Sequence, residues 1–114
     1  MYTPDRWVML KIASPEIIVY KILAGWGGGY LYGQSWKLNS GVTKVEVDGD
    51  YFLFHGASGS IYKCHKGEGS YGLMSITSGV YDTLMYKVET ENDSGITIEL
   101  LPETTDFMSI DYGE

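Results

Sequence analysis

A single cysteine, Cys64, is present in 114 residues, so no internal disulfide can staple this chain. Disulfide frameworks belong to oxidising compartments, and one lone thiol fits a reducing one. Long apolar runs are missing as well. The stretch Ile17-Ile18-Val19-Tyr20 is cut by Lys21, whereas a membrane-spanning helix needs about 20 apolar residues. Met1-Tyr2-Thr3-Pro4-Asp5-Arg6 lacks the basic start and apolar stretch of a secretory leader. These shortages predict a cytoplasmic protein with no membrane partner. Basic groups are also few, eight against fifteen acids, which leaves a net charge of −7. That balance predicts no direct nucleic-acid partner, because phosphate backbones repel an anionic surface.

The charge is uneven along the chain. Residues 1–81 carry seven basic and six acidic groups, while residues 82–114 carry nine acids against Lys87 alone. The body is near neutral, so a small anion can still be held where several lysines converge. Apolar residues make up 44%, ordinary for a folded globule. The length fits one domain spanning 1–114.

Glycine and tyrosine are in excess, at 15 and 10 residues. They stand side by side at Gly29-Tyr30, Tyr32-Gly33, Tyr71-Gly72 and Tyr112-Gly113. Glycine gives the backbone freedom, and tyrosine gives a flat ring with a polar tip. The pair suits sharp turns between strands, and it equally suits loops that touch a ligand.

Alternation and branched residues predict strands over Arg6 to Ile12 and Glu16 to Ala24, joined as a hairpin at Pro15. Gly25 to Tyr30 breaks regular structure. Short strands are expected at Tyr30-Leu31-Tyr32 and Ser35 to Leu38, followed by an Asn39-Ser40-Gly41 turn. Val42 to Val47 and Tyr51 to Phe54 form the clearest hairpin, turning at Asp48-Gly49-Asp50. Ile61 to His65 is a further strand, and Leu73 to Ile76 another short one. Ser78 is placed to cap a helix over Val80 to Glu89, and Ile96 to Leu101 is the last strand. The fold class is mainly β with minor α. A small bent antiparallel sheet or barrel of about six to eight short strands carries one helix in the C-terminal half.

Chemistry-bearing residues are sparse. Cys64-His65 with His55 is the one metal-like grouping, but neighbouring strand residues face opposite ways and a fourth ligand is lacking. No metal and no cofactor are expected. Asp48 and Asp50 are explained by the turn they flank. The Gly56-to-Ser60 and Lys66-to-Gly72 loops flank one strand, and each offers N–H groups, hydroxyls and a nearby lysine to a phosphate. Trp26, Trp36, Tyr30 and Tyr71 are rings on which a base can stack. The candidate ligand-binding set is therefore Trp26, Gly28, Tyr30, Trp36, Ser58, Ser60, Lys63, Lys66 and Tyr71. The plain alternative is that the loops are turns and the rings are core.

Three stretches carry a resemblance: Trp36 to Gly41, Asp48 to Gly56 and Ser58 to Lys66. With Asp5-Arg6-Trp7-Val8 and Gly25 to Leu31, they resemble small uncharacterised accessory proteins of tailed bacteriophages. The likeness covers residues 5–73 and departs in the acidic last third. It implies an early or accessory phage product in the host bacterial cytosol, and it transfers no catalytic residue. The function expected is that of a non-enzymatic binding protein acting on a host factor, in counter-defence by sequestering a nucleotide-type signal molecule. One alternative is an acidic protein–protein inhibitor of a host protein that mimics DNA. Another is a small hydrolase or lyase using His55 or His65. Self-association is left open.

Overall fold

The computed structural model describes residues 1–28, 33–91 and 94–113. Strand β1 (Arg6–Ala13) pairs antiparallel with β2 (Ile18–Trp26), setting Trp7 opposite Ala24 and Ile12 opposite Val19. The Ser14 hydroxyl shapes their turn by accepting the N–H of Ile17 at 3.2 Å. Strand β3 (Ser35–Leu38) adds to β2, and β7 (Thr97–Leu100) adds to the free side of β1, giving the order β3-β2-β1-β7. Strands β4 (Val42–Asp48), β5 (Tyr51–Gly56) and β6 (Ile61–His65) make a second sheet in chain order. Helix α1 spans Ser75–Thr90.

The four-stranded sheet is covered on both faces, which is why β1 reads Trp-Val-Met-Leu without a polar break. Trp7, Met9, Ile22 and Ala24 point to the three-stranded sheet and meet Phe54, Tyr62 and Cys64. Val8, Leu10 and Leu23 point the other way, under Val80, Tyr81 and Leu84 of α1. The layers are thus sheet, sheet and helix. Alternation in β6 follows the same logic: Tyr62 and Cys64 are buried, while Ile61, Lys63 and His65 lie outward between them.

The segment after β7 returns to the core. Leu101 continues the pairing by donating its N–H to the Met9 carbonyl at 3.0 Å. Phe107 stacks against Trp7 at 5.2 Å, and Tyr112 stands edge-on to Tyr20 at 5.4 Å. The acidic last third is therefore a structural part of the sandwich, and its described carboxylates are exposed.

The mainly β class with antiparallel sheets and a helix in the C-terminal half is as expected, the strands being divided between two sheets. Some finer expectations need correction. Gly25 and Trp26 belong to β2. At Gly25 a Cβ would press on the Met74 and Thr77 side chains, so the bare backbone lets the start of α1 lie close. Leu73 to Ile76 is no strand, since α1 begins at Ser75. Ser78 does not cap the helix. Instead the buried Thr77 hydroxyl accepts the Met74 N–H at 2.8 Å, and Gln34 Oε1 accepts the Ile76 N–H at 2.9 Å. The expected strand Tyr30-Leu31-Tyr32 lies outside the described residues.

Candidate functional site

The two sheets part beside β3, and the residues there converge on a groove of about 380 Å³. Its lining comes from four places. The N-terminal segment gives Tyr2, β2 and β3 give Lys21 and Lys37, the β3–β4 turn gives Asn39 and Ser40, and the second sheet gives Ser58, Ser60 and Tyr62. Among the described residues no carboxylate lines it. Among the described residues neither Lys21 nor Lys37 is ion-paired, whereas Lys44 and Lys63 face Glu46 and Asp48. In a chain of net charge −7, the groove is a local positive spot.

Each wall is built by backbone pairing. Tyr2 bridges to β6, donating its N–H to the Ile61 carbonyl at 2.9 Å and accepting the Lys63 N–H at 2.7 Å. That places its ring 5.2 Å from Tyr62 and under the Lys37 ammonium, which lies 5.0 Å from the ring centre. The two turns are tied together: Ser40 Oγ accepts the Ser58 N–H at 2.9 Å. Asn39 is 3% exposed. It pairs with Ile22 through both its backbone N–H (3.0 Å to the Ile22 carbonyl) and its Oδ1 (2.9 Å from the Ile22 N–H). Among the described residues its Nδ2 has no partner, although a buried donor left unpaired costs about 1–3 kcal/mol.

A second groove of about 390 Å³ adjoins the first across Tyr2 and Lys37, lined also by Trp26, Ser35 and Trp36. Trp26 donates Nε1–H to the Thr3 carbonyl at 3.0 Å and stands edge-on to Tyr2 at 6.3 Å. Trp36, on the opposite side of β3 from Lys37, is 44% exposed. One groove is thus hydrogen-bonding and cationic, and its neighbour is aromatic. No family model, curated protein or solved structure matches the chain.

Of the sequence candidates, Trp26, Trp36, Ser58 and Ser60 meet at these two grooves. Gly28 sits beside them with φ +67°, its backbone so close to the Gly33 carbonyl that no side chain fits. Tyr30 lies outside the described residues. Lys63, Lys66 and Tyr71 are elsewhere. Lys63 is on the outer face of the second sheet, over the Tyr51 ring at 4.7 Å. Lys66 lies over Phe52 at 5.1 Å. Tyr71 is no open stacking plate, for its ring meets Trp7 edge-on at 4.7 Å. Its hydroxyl accepts the Met9 N–H at 3.1 Å and donates to the Leu101 carbonyl. Tyr2, Lys21, Lys37, Asn39, Ser40 and Tyr62 complete the groove and were not singled out by sequence. The Asn39-Ser40-Gly41 turn signal was the nearest clue.

The histidines stand apart from the groove. His55 Nε2 lies 3.2 Å from Glu46 Oε1 on the outer face of the second sheet. His65 Nδ1 accepts the Gly67 N–H at 2.9 Å. Cys64 faces inward, away from His65, so the two form no nucleophilic pair. Among the described residues no three His, Cys, Asp or Glu side chains are grouped to hold a metal.

Burial pushes the Tyr71 hydroxyl up to about 12. It also raises Tyr62, Tyr112 and the Cys64 thiol. These groups hold their protons more tightly folded than unfolded, where a tyrosine titrates near about 10. Their contribution to stability is therefore complete at neutral pH and is lost as pH rises from about 10 towards 12. Denaturant midpoints should stay level from neutral pH to about 9 and fall above about 10. Absorbance of tyrosinate should show a late-titrating class that joins the rest on unfolding. A flat midpoint through that window would contradict the burial.

Proposed function

We propose that the chain is a non-enzymatic, phage-type binding protein that acts on a host factor in the bacterial cytosol by taking up a nucleotide-type small molecule. Sequestration of such a signal in counter-defence is the role this reading assigns. The observation that carries it is the pairing of a groove that holds Lys21 and Lys37, with no carboxylate among its described lining residues, with an aromatic groove holding Tyr2, Trp26 and Trp36. Small-molecule sites commonly occupy about 300–1,000 Å³. A base stacked on an aromatic ring gains about 1–3 kcal/mol. A hydrogen bond to a charged group adds about 1.5–3 kcal/mol.

The test is thermal unfolding with a panel of cyclic nucleotides and ADP-ribose, since a ligand bound only by the native state raises the midpoint. Mass spectrometry of small molecules released from heat-denatured protein gives the ligand independently. Lys37→Glu should lower affinity about 10-fold or more, the loss expected for one charged hydrogen bond, with the melting temperature of the free protein nearly unchanged. A panel that produces no shift, together with no released nucleotide, removes the reading.

A second reading rests on a different observation. Among the described residues, no acid of the last third takes part in an ion pair, since the three pairs present involve Glu46 and Asp48. Such an unneutralised acidic surface suits a basic host protein, with a DNA mimic as the limiting case. Capture of that partner would weaken steeply with salt.

A further inference from the structure

Each sheet has two edges, and the fold leaves them unequal. The edges of the first sheet, β3 and β7, are four residues each. The β6 edge of the second is taken by Tyr2, which bonds to Ile61 and Lys63. The remaining edge, β4, is seven residues long, and a long open edge is where a further strand adds. We propose that β4 is an interaction surface for a second copy of this chain, whose own β4 pairs antiparallel with it about a two-fold axis at Val45. The product is one six-stranded sheet across two molecules. No residue of β4 lines either groove, so this pairing is a property separate from ligand uptake.

The neighbouring strands fix which way the β4 backbone faces. Gly56, at the end of β5, donates its N–H to the Ser60 carbonyl on the β6 side at 2.8 Å. By alternation Phe52 and Phe54 bond towards β6 as well, while Tyr51, Leu53 and His55 bond towards β4. Their partners Asp48, Glu46 and Lys44 are thereby satisfied, and Val45 and Val47 turn their N–H and C=O groups to the open side. Among the described residues no further strand or loop pairs with them. The side chains then select the register. A two-fold axis at Lys44 or at Glu46 sets that charge against its own copy, and one at Val47 sets Glu46 against the partner's Asp48. An axis at Val45 sets Lys44 opposite the partner's Glu46, twice over, and brings no like charges face to face. Lys44 Nζ already reaches Glu46 Oε1 of its own strand at 3.1 Å, so the four groups form a square of alternating sign. Val47, 46% exposed, is covered beside the partner's Thr43. The bulge at Thr43 ends the regular ladder, which keeps the joint short and the dimer weak.

Sedimentation of the full chain between about 10 μM and about 1 mM, where weak interfaces assemble, reads the dimer directly. The wild type should pass from monomer to dimer across that range. Lys44→Glu makes every charged side chain of β4 acidic, so association should weaken tenfold or more. Adding the complementary change, Lys44→Glu with Glu46→Lys, exchanges the two signs and should restore association to near the wild-type level. Both side chains are more than half exposed and an exposed ion pair contributes little to stability, so the melting temperature of either variant at low concentration should stay close to that of the wild type. A wild type that remains monomeric throughout overturns the proposal. So does a dimer that persists in Lys44→Glu, or a folded charge-exchanged variant that stays monomeric.

Discussion

Trp7→Ala is expected to leave little folded protein at physiological temperature. The Trp7 ring is 2% exposed. It is the hub of the aromatic core, meeting Phe54 at 5.3 Å, Phe107 at 5.2 Å, Phe52 at 6.1 Å and Tyr71 at 4.7 Å. Its Nε1–H donates to the His65 carbonyl at 3.0 Å, tying the first sheet to the end of β6. Truncating a buried tryptophan costs about 3–5 kcal/mol. The lost hydrogen bond adds about 1 kcal/mol. Domains of this size hold about 5–15 kcal/mol in all, so the change removes a large share. In urea, with a slope of about 1–3 kcal/mol per molar, the midpoint should fall by more than about 1 M. Trp7→Phe should retain most of the ring contacts and lose far less. An unchanged midpoint for Trp7→Ala would mean that the two sheets do not pack through this residue.

Tyr71→Phe is the second large effect, and it comes from one oxygen atom. That hydroxyl accepts the Met9 N–H at 3.1 Å and donates to the Leu101 carbonyl. Met9 is fully buried and Leu101 is 7% exposed, so without the hydroxyl one donor and one acceptor are left dry. Each orphaned group costs about 1–3 kcal/mol, and the pair therefore about 2–6 kcal/mol. The same variant should lose one tyrosine from the late-titrating class, because Tyr71 is pushed up to about 12. Both readouts are needed. A surface ring that stacks a ligand would tolerate loss of its hydroxyl with no change in either.

The strands were legible because their signals are local. Asp48-Gly49-Asp50 has turn chemistry, Gly49 takes a positive φ of 59°, and Val42–Asp48 and Tyr51–Gly56 fold back as their alternation implies. The start of α1 was not legible. Its first turn is secured by Gln34, distant in the chain, and by the closeness of Gly25, neither of which a window of neighbouring residues contains. The candidate site divides along the same line. Trp26, Trp36, Ser58 and Ser60 stood out by residue type and were brought together. Tyr71 has the same residue type as a stacking ring, and only its partners reveal a core role. Asn39 was the reverse case, since a turn asparagine is ordinarily solvated. This one is buried because pairing with Ile22 draws it between the sheets.

The placement of β7 also governs when the protein can form. Leu10 of β1 pairs with Leu100 of β7, and the Met9 carbonyl waits for the N–H of Leu101. Strand β1 is therefore completed by an element far along the chain. Closing so long a loop must precede the contacts that reward it, which slows folding. Until then the Leu10-to-Ala13 edge of β1 has no strand beside it, although Trp7 already pairs with Ser70 and Gly72, and an unpaired apolar edge invites association with other chains. The nascent chain is thus a natural client for chaperones, and its yield in the cell should depend on them more than its final stability would suggest.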